Sequence, residues 1–280
     1  FLGIQKIGAV VVPVSPIYTS HEIAYMVADA GVETAICMDT NYCYVKEASA
    51  KTGLKRVIVT NLADLLPPWK RYLGLLFDKI PSGKIEKGDQ VISFRSMLAH
   101  PPLAGKTAID PRNDLSYILY TGGTTGFPKG VQGTHIGMTS YVNDVTEDVG
   151  GAHLMEGGDT YIAINPLFHI MALGLFMAVG LNKGNTVMLM PVPQVDAILA
   201  TIARHRVRWM LGVPTLYRMI LENDRFEQYD LSSLKFCFCG GDVLPEEVKK
   251  RWRERCSIPI YQVYGSTEVG HVAYSKIGME

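Results

Sequence analysis

The chain lacks an excess of either charge, because its 27 lysine and arginine residues balance its 27 aspartate and glutamate residues. Without a basic excess, the composition does not indicate nucleic-acid binding, and local groups must meet any charge on a ligand. The five cysteines form no CxxC pair, so neither a disulfide framework nor a zinc motif is indicated. We expect them to be buried, reduced thiols of a cytosolic protein.

Long apolar runs and a recognisable start are also missing. The longest apolar run, 170–181, falls short of the roughly 18 residues that indicate a membrane span. The chain has neither an initiator methionine nor a signal peptide, and we expect it to be a fragment of a longer protein. Its 280 residues, 48% of them hydrophobic, can still bury a large core in one or two domains.

Apolar runs of strand length alternate with helical patterns along the chain. Strands are predicted at AVVVPV from position 9, TAICM and RVIVT, and again later at TYIAI, TVMLM, RWMLGV, LKFCFC and IPIYQVY. This alternation predicts an α/β fold with mainly parallel sheets flanked by helices. The stretch DVGGAHLMEGGD near 150 predicts a boundary between two packed subdomains, 1–150 and 151–280. Thr19 and Glu22 have the spacing of a capping box at the first full helix.

The segment YTGGTTGFPKG, 120–130, has the composition of a phosphate-binding loop. It follows the predicted strand SYILY, and its glycines permit a backbone path in which successive N–H groups point inward as an anion nest. Threonine hydroxyls and Lys129 add donors and a positive charge. The loop lacks the Gly-Lys-Ser/Thr ending of Walker A, and GVQGTH after it predicts a strand. A plain turn between two strands remains an alternative.

Two further segments place glycines at predicted strand ends. YQVYGSTEVGH, 261–271, offers an aromatic face at Tyr264, a hydroxyl at Thr267 and a carboxylate at Glu268 that suits Mg²⁺. FCFCGGDVLPEE, 236–247, ends a strand in paired glycines before a helix. A solvated glutamate at an ordinary strand end is the alternative for Glu268.

These motifs resemble the adenylate-forming ligases, the family of acyl-CoA synthetases, peptide-synthetase adenylation domains and firefly luciferase. PLFHI at 166–170 and the opening segment 2–23 are also similar to family motifs, and all five occur in the family's order. The resemblance covers nearly the whole chain and implies the large N-terminal domain of such an enzyme. It also implies that the C-terminal lid domain and its lysine fall beyond Glu280.

The resemblance implies ATP, Mg²⁺ and coenzyme A as cofactors and a role for each motif. Glu268 would hold Mg²⁺, Thr267 would touch the α-phosphate, and Lys129 would assist the phosphates; these three would be the catalytic residues. Tyr264 would cover the adenine beside Gly265, and His169 with Gly240 would line the acyl pocket. The remaining nucleotide contacts would come from Thr121, Gly122, Gly123, Thr124, Thr125, Gly126, Gly240 and Gly241.

Two positions depart from the family pattern. Gly122 stands where many members carry serine, in a form that resembles long-chain fatty acyl-CoA synthetases. Asp242 replaces a small residue, and its carboxylate would hinder acid binding unless it faces away. LLPPWKRYLGLLFDKIP, 65–81, resembles an insertion of long-chain members, with Trp69, Tyr72, Leu73, Leu76 and Phe77 near one helical face. It predicts either peripheral membrane contact or a helix packed on its own domain.

The leading hypothesis is therefore a fatty acid–CoA ligase, either wholly cytoplasmic or cytoplasmic with peripheral membrane contact, whose fragment would show no catalytic turnover alone. An aryl-acid ligase or a carrier-loading adenylation domain is an alternative, as is a nucleotide-binding module without turnover. IMALGLFMAVG, 170–180, suits an acyl tunnel or, preferably, ordinary core. Oligomeric state and acyl chain length are left open.

Overall fold

In a computed structural model of the chain, the described residues are 1–77, 80–86, 88–122, 126–153, 157–190 and 192–278. Contacts divide the chain into two compact units, 1–109 with 120–130, and 110–119 with 131–280. This division differs from the predicted boundary at 150. Residues 131–150 belong to the second unit because the helix that they form packs against other elements of that unit.

The first unit is a small parallel α/β layer, whose helices are α1 Leu2–Lys6, α2 Ser20–Asp29, α3 Tyr42–Ser49, α4 Pro68–Leu76 and α5 Phe94–Met97. Its strands β1 Thr34–Met38, β2 Arg56–Thr60 and β3 Val91–Ser93 form a sheet in that order, paired in parallel. The apolar faces of α2 and α3 pack against β1 and β2 around Ile23, Val45 and Val57.

Local sequence signals in this unit predict its capping box correctly but not its first strand. The capping box is confirmed: the Thr19 amide donates to Glu22 at 2.8 Å, and the Glu22 amide donates to Thr19 Oγ1 at 3.4 Å. The strand predicted at AVVVPV was wrong, since only a single bridging residue, Val11, occurs there. Pro13 lacks an N–H group and restricts the residue before it, which interrupts a ladder at this point.

A separate two-stranded ribbon flanks the glycine-rich loop. Its strands are β4 Leu115–Thr121 and β5 Lys129–Thr134, which confirm the strands predicted before and after the glycine-rich loop. Gly133 lies so close to the Tyr117 ring that a Cβ there would overlap it. Because β4 and β5 pair with each other, the glycine-rich loop begins and ends at neighbouring strands.

The second unit contains the larger sheet. Its helices are α6 His135–Asp144, α7 Ile170–Leu175, α8 Val195–His205, α9 Pro214–Leu221 and α10 Glu246–Cys256, and α6 and α7 continue as π-helical segments, Val145–Gly150 and Phe176–Asn182. Its strands are β6 Thr160–Ala163, β7 Thr186–Leu189, β8 Trp209–Gly212, β9 Phe236–Cys239, β10 Ile260–Ser266 and β11 Gly270–Tyr274. Within the described residues they form a six-stranded sheet, β11-β10-β9-β8-β6-β7.

All pairings in this sheet are parallel except β10 with β11, which confirms the predicted fold class. Both faces of the central strands are covered, as their continuous apolar sequences predict. Met210, Cys237 and Cys239 point to one face, where they pack with α8, α9 and α10. Trp209 and Phe238 occupy the alternate positions and so serve the opposite face.

A buried carboxylate ties three elements of this sheet together. Asp159, just before β6, is 2% exposed and accepts hydrogen bonds from Arg208 Nη1 at 2.5 Å and Trp209 Nε1 at 2.9 Å. Its amide donates to Asn185 Oδ1, before β7, at 3.0 Å. The strand starts are thereby fixed relative to one another, since a buried charge is stable only when it is paired.

The cysteines differ in burial, and the helices of the described residues are not of the membrane-spanning kind. Cys237 and Cys239 are buried, but Cys43 is exposed, so the prediction of uniformly buried thiols was wrong for that residue. It lies in α3 at a position that faces away from the sheet, because α3 buries Tyr42, Val45 and Ala48 instead. Across the described part of the chain, none of the helices has both the length and the apolar character needed to cross a bilayer.

Candidate active site

The glycine-rich loop is held at both ends by α2 within the first unit. The Tyr25 hydroxyl donates to the Pro128 carbonyl oxygen at 3.0 Å, and the Tyr25 ring stacks on Phe127 with centroids 5.0 Å apart. The Tyr120 hydroxyl donates to Asp29 Oδ2 at 2.6 Å. Tyr25 and Asp29 are one turn apart on α2, so a single helix face braces both arms of the loop.

The described part of the loop leaves its chemical groups open to solvent. Lys129 is exposed at the start of β5, and no carboxylate among the described residues pairs with it. A Cβ at Gly122 or Gly126 would meet no atom within 4 Å, and neither has a positive φ. The protein's own packing and backbone conformation therefore do not require glycine at either position. Gly123, Thr124 and Thr125 lie outside the described residues.

Gly240 and Gly241 follow β9 directly and are constrained by the protein itself. A Cβ at Gly240 would stand 3.0 Å from Met171 Sδ and 3.1 Å from the Val263 carbonyl oxygen, tighter than ordinary packing allows. Gly241 has a φ of 84°, a left-handed conformation that favours glycine. The next residue, Asp242, is exposed, and its carboxylate accepts from the Val243 amide at 2.7 Å.

The segment 264–268 lies at the end of β10, where the strand turns back into β11. The pairing register shifts between Tyr264 and Gly265, and a Cβ at Gly265 would overlap the Gly270 carbonyl oxygen. Tyr264 is 69% exposed, which leaves its ring face accessible. Glu268 is exposed, and a hydrogen bond from Ser266 lowers the pKa of its carboxyl group, so it is an anion at neutral pH.

The sheet brings these two segments of the second unit together. β9 and β10 are parallel neighbours with Cys239 opposite Gln262, so Gly240 and the 264–268 turn emerge at the same edge. In open α/β sheets, ligands bind at the carboxyl ends of the strands. The sequence predicted this juxtaposition only through the family resemblance, because the motifs are more than twenty residues apart in the chain.

An apolar cavity adjoins this edge of the sheet. It is small, with about 40 Å³ of space for the centre of a water molecule, and its wall is formed by α6, α7, their continuations and the strands β8 to β11. Its wall includes Tyr141, Met171, Trp209, Phe238, Val263 and His271. Because Met171 and Val263 are also the neighbours of Gly240, the glycine turn borders the cavity.

His169, predicted to line an acyl pocket, is exposed at the start of α7 and is absent from the cavity wall. Met171 and Leu175 of the same helix line the wall instead, while its other residues pack into the core. Of the two alternatives for 170–180, cavity wall and core, the segment contributes to both. The role of His169 stays a prediction.

Sequence reasoning missed the residues that shape the cavity. Tyr141 fits against Gly174 so closely that a Cβ there would overlap its ring, and a Cβ at Gly270 would lie 3.1 Å from Tyr141 Cδ2. His271 contributes a half-buried imidazole from β11. The only local signal was the pair of glycines, whose partner cannot be read from spacing.

The chain resembles known proteins over its full length. The family model described as AMP-binding enzyme matches residues 1–280. A long-chain-fatty-acid–CoA ligase of Bacillus subtilis is 29% identical over 282 residues, covering 99% of this chain and 50% of the relative. A ligase of the same name from Salmonella typhimurium is 31% identical over 273 residues, covering 95% of this chain and 48% of the relative. The chain thus spans about half the length of these relatives.

Among solved structures, an anthranilate CoA ligase in complex with anthranoyl-AMP matches with a TM-score of 0.81 at 22% identity. The match covers 99% of this chain and 49% of that protein. At this identity the likeness shows the fold alone, and it agrees with the α/β architecture described above.

Proposed function

Because the chain belongs to the AMP-binding enzyme family, we propose that it supplies the nucleotide- and acid-binding part of an AMP-forming acyl-CoA synthetase. Such an enzyme joins a carboxylic acid to AMP with release of pyrophosphate and then transfers the acyl group to coenzyme A. The observation that carries the proposal is the edge of the larger sheet, where the 240–241 and 264–268 turns emerge together beside an apolar cavity.

Adenylation requires anions that repel one another to be held close, so positioning and electrostatics supply most of the catalysis. We assign the β- and γ-phosphates to the loop 121–126 and the cation Lys129, whose ammonium group is exposed and has no carboxylate partner among the described residues. Thr267 would donate to the α-phosphate. The exposed ring of Tyr264 offers a stacking face for the adenine.

The site's donor chemistry fits Mg²⁺. Glu268 is an exposed, ionised carboxylate whose pKa is lowered by Ser266. A hard cation such as Mg²⁺ can be bound by one protein carboxylate together with water and phosphate oxygens. When bound, Mg²⁺ would neutralise charge that develops on the phosphates. Glu268 would hold the cation at the end of β10.

The acid would enter the apolar cavity. We propose a fatty acid as the first substrate to test, since the wall is largely hydrocarbon and two relatives are named long-chain-fatty-acid–CoA ligases. An aryl acid is the second candidate, because the rings of Tyr141, Trp209 and Phe238 contribute to the same wall. Thioester formation needs no nucleophile from the protein, since the thiol of coenzyme A attacks the acyl-adenylate.

A peripheral membrane contact through α4 is a further part of the proposal. Trp69, Tyr72 and Leu76 of this helix are 62%, 67% and 60% exposed, so they are not packed on the described part of their own unit. Lys70 lies beside them and would favour anionic lipid. Sedimentation with vesicles of anionic and of neutral lipid tests this, and equal recovery of wild-type and Trp69→Ser chains would contradict it.

Acid-dependent exchange of pyrophosphate into ATP tests the proposed function. We expect exchange by the complete protein with fatty acids, and Mg·ATP binding without thioester formation by the 280-residue chain alone, because its relatives are about twice as long. Binding of Mg·ATP without exchange for any acid would favour a nucleotide-binding module. Rapid thioester formation by the isolated chain would contradict the expectation that this chain binds Mg·ATP without forming the thioester.

A further inference from the structure

One side chain of α2 contacts both arms of the glycine-rich loop. Three apolar residues of this helix are buried, whereas Tyr25 lies between them in the sequence and is only partly buried. The Tyr25 ring contacts the ring of Tyr120 before the loop at a centroid distance of 6.3 Å, and the ring of Phe127 after it at 5.0 Å. Its hydroxyl donates to the Pro128 carbonyl oxygen at 3.0 Å. Tyr25 therefore lies at the centre of the contacts that hold the described part of the loop.

The hydrogen bond to Pro128 fixes the backbone from which Lys129 extends. The peptide bond between these two residues is trans, so the Pro128 carbonyl oxygen and the Lys129 amide N–H point in opposite directions within one plane. The proline ring also fixes φ, which restricts the directions that its carbonyl can take. Because the Tyr25 hydroxyl holds this oxygen, it sets the orientation of the peptide unit that opens β5.

The Phe127 ring adds a second contact to the same side chain. Phe127 is 67% exposed, and its ring lies nearly parallel to that of Tyr25, with an interplanar angle of 20°. A side chain so exposed contributes little to a hydrophobic core, but stacking on Tyr25 limits the movement of its own backbone. The two residues before Lys129 are thus held by one tyrosine, Phe127 through the ring and Pro128 through the hydroxyl.

We propose that Tyr25 is a positioning residue for Lys129. It keeps the backbone of Lys129 in place before ATP arrives, so that the ammonium group meets the β- and γ-phosphates with less loss of conformational freedom. Tyr25 itself does not contact the nucleotide in this proposal, since its hydroxyl is used by Pro128 and its ring by Phe127. The inference rests on the proposed function, because it requires Lys129 to contact a phosphate.

Calorimetric binding of two nucleotides to the complete protein tests this role. Tyr25→Phe removes the hydroxyl and keeps the ring, and it should weaken Mg·ATP binding about threefold, less than the roughly tenfold loss expected for Lys129→Ala. AMP lacks the β- and γ-phosphates, so its affinity should be the same in the wild type and in Tyr25→Phe. A merely structural role for Tyr25 would instead weaken the binding of both nucleotides.

A double-mutant cycle shows whether Tyr25 acts through Lys129. In a Lys129→Ala background, Tyr25→Phe should change the affinity for Mg·ATP by a factor of about one. Tyr25→Leu, which also removes the ring, should weaken Mg·ATP binding more than Tyr25→Phe does. Tyr44→Phe, at an exposed tyrosine of α3 in the same unit, is the matched control and should have no effect. Thermal unfolding checks that each variant is folded.

The outcomes separate this inference from the proposed function. An unchanged affinity for Mg·ATP in Tyr25→Phe, an equal loss for AMP, or an undiminished effect in the Lys129→Ala background would overturn the positioning role and leave the proposed function standing. Absence of Mg·ATP binding by the complete wild-type protein would overturn both.

Discussion

The two glycine-containing turns that we assign to the nucleotide differ in why glycine is present. At Gly240, a Cβ would crowd Met171 and the Val263 backbone, and Gly241 has a left-handed φ. At Gly122 and Gly126, the surroundings within 4 Å are open and φ is not positive. Packing therefore requires glycine in the second unit, whereas in the loop only an approaching ligand would require it. Substitutions at Gly240 or Gly241 should therefore affect folding, and those at Gly122 or Gly126 should affect ligand binding.

The two regions are also anchored differently. The loop is braced by three hydroxyl hydrogen bonds from Tyr25 and Tyr120 and by two ring contacts of Tyr25. The 240–241 turn continues from a central strand with both faces buried, in a sheet whose strand starts are fixed by Asp159. A rigid sheet positions groups accurately, whereas the two described arms of the loop depend on a few side-chain contacts to α2.

The largest effect on stability is expected at Asp159, the buried carboxylate that joins the starts of β6, β7 and β8. Asp159→Asn should lower the free energy of unfolding by about 3 kcal/mol, because it removes the buried charge that accepts hydrogen bonds from Arg208 and Trp209. Denaturant unfolding followed by Trp fluorescence measures this. Glu33→Gln is the matched control, because its ion pair with Lys55 is exposed and its loss should change stability far less. Equal losses of stability in the two variants would contradict the structural role of Asp159.

Glu268→Gln should lower the rate of pyrophosphate exchange by the complete protein about 100-fold, since it removes the charge that would hold Mg²⁺. Stability should not change, because Glu268 is exposed and lies in a turn. Glu222→Gln, also at an exposed carboxylate, controls for the loss of one negative charge. An unchanged rate in Glu268→Gln would remove this residue from the metal site.

Much of the fold follows from local sequence. The strands SYILY and LKFCFC, the Thr19 capping box and the helix after Pro245 were predicted because apolar runs, caps and prolines act over a few residues. The hairpin strand β11 was not, since GHVAY has no regular alternation and becomes a strand only by pairing with β10.

Long-range contacts explain the rest of what sequence reasoning missed. Tyr25 and Asp29 lie about a hundred positions before the loop that they brace, and His271 reaches the cavity only because Gly270 lets β11 approach α6. The boundary at 150 was inferred from a local cluster of glycines, whereas the division of contacts depends on where α6 packs. Local sequence patterns do not reveal contacts between residues that lie so far apart in the chain.

The contrast between the two kinds of glycine can be tested directly. Gly240→Ala should lower the free energy of unfolding by about 2 kcal/mol, because Met171 and the Val263 carbonyl must move to admit a methyl group. Gly122→Ala should change stability by less than about 0.5 kcal/mol. Thermal unfolding of both variants measures the difference. Similar losses at both positions would show that the loop glycine is also constrained by packing.

The smallest expected effect concerns Lys129, which is exposed at the start of β5 and has no carboxylate partner among the described residues. Lys129→Ala should weaken Mg·ATP binding to the 280-residue chain about tenfold, because one charge-assisted hydrogen bond to phosphate is lost. Calorimetry measures the affinity, and Lys106→Ala, at another exposed lysine of the first unit, controls for net charge. A folded wild-type chain that binds no Mg·ATP, or equal affinities for the two variants, would mean that Lys129 does not contact the nucleotide in this part of the protein. Loss of affinity with an unchanged unfolding temperature would instead show that this region binds ligand without contributing to the fold, which is the property that separates it from the turn at Gly240.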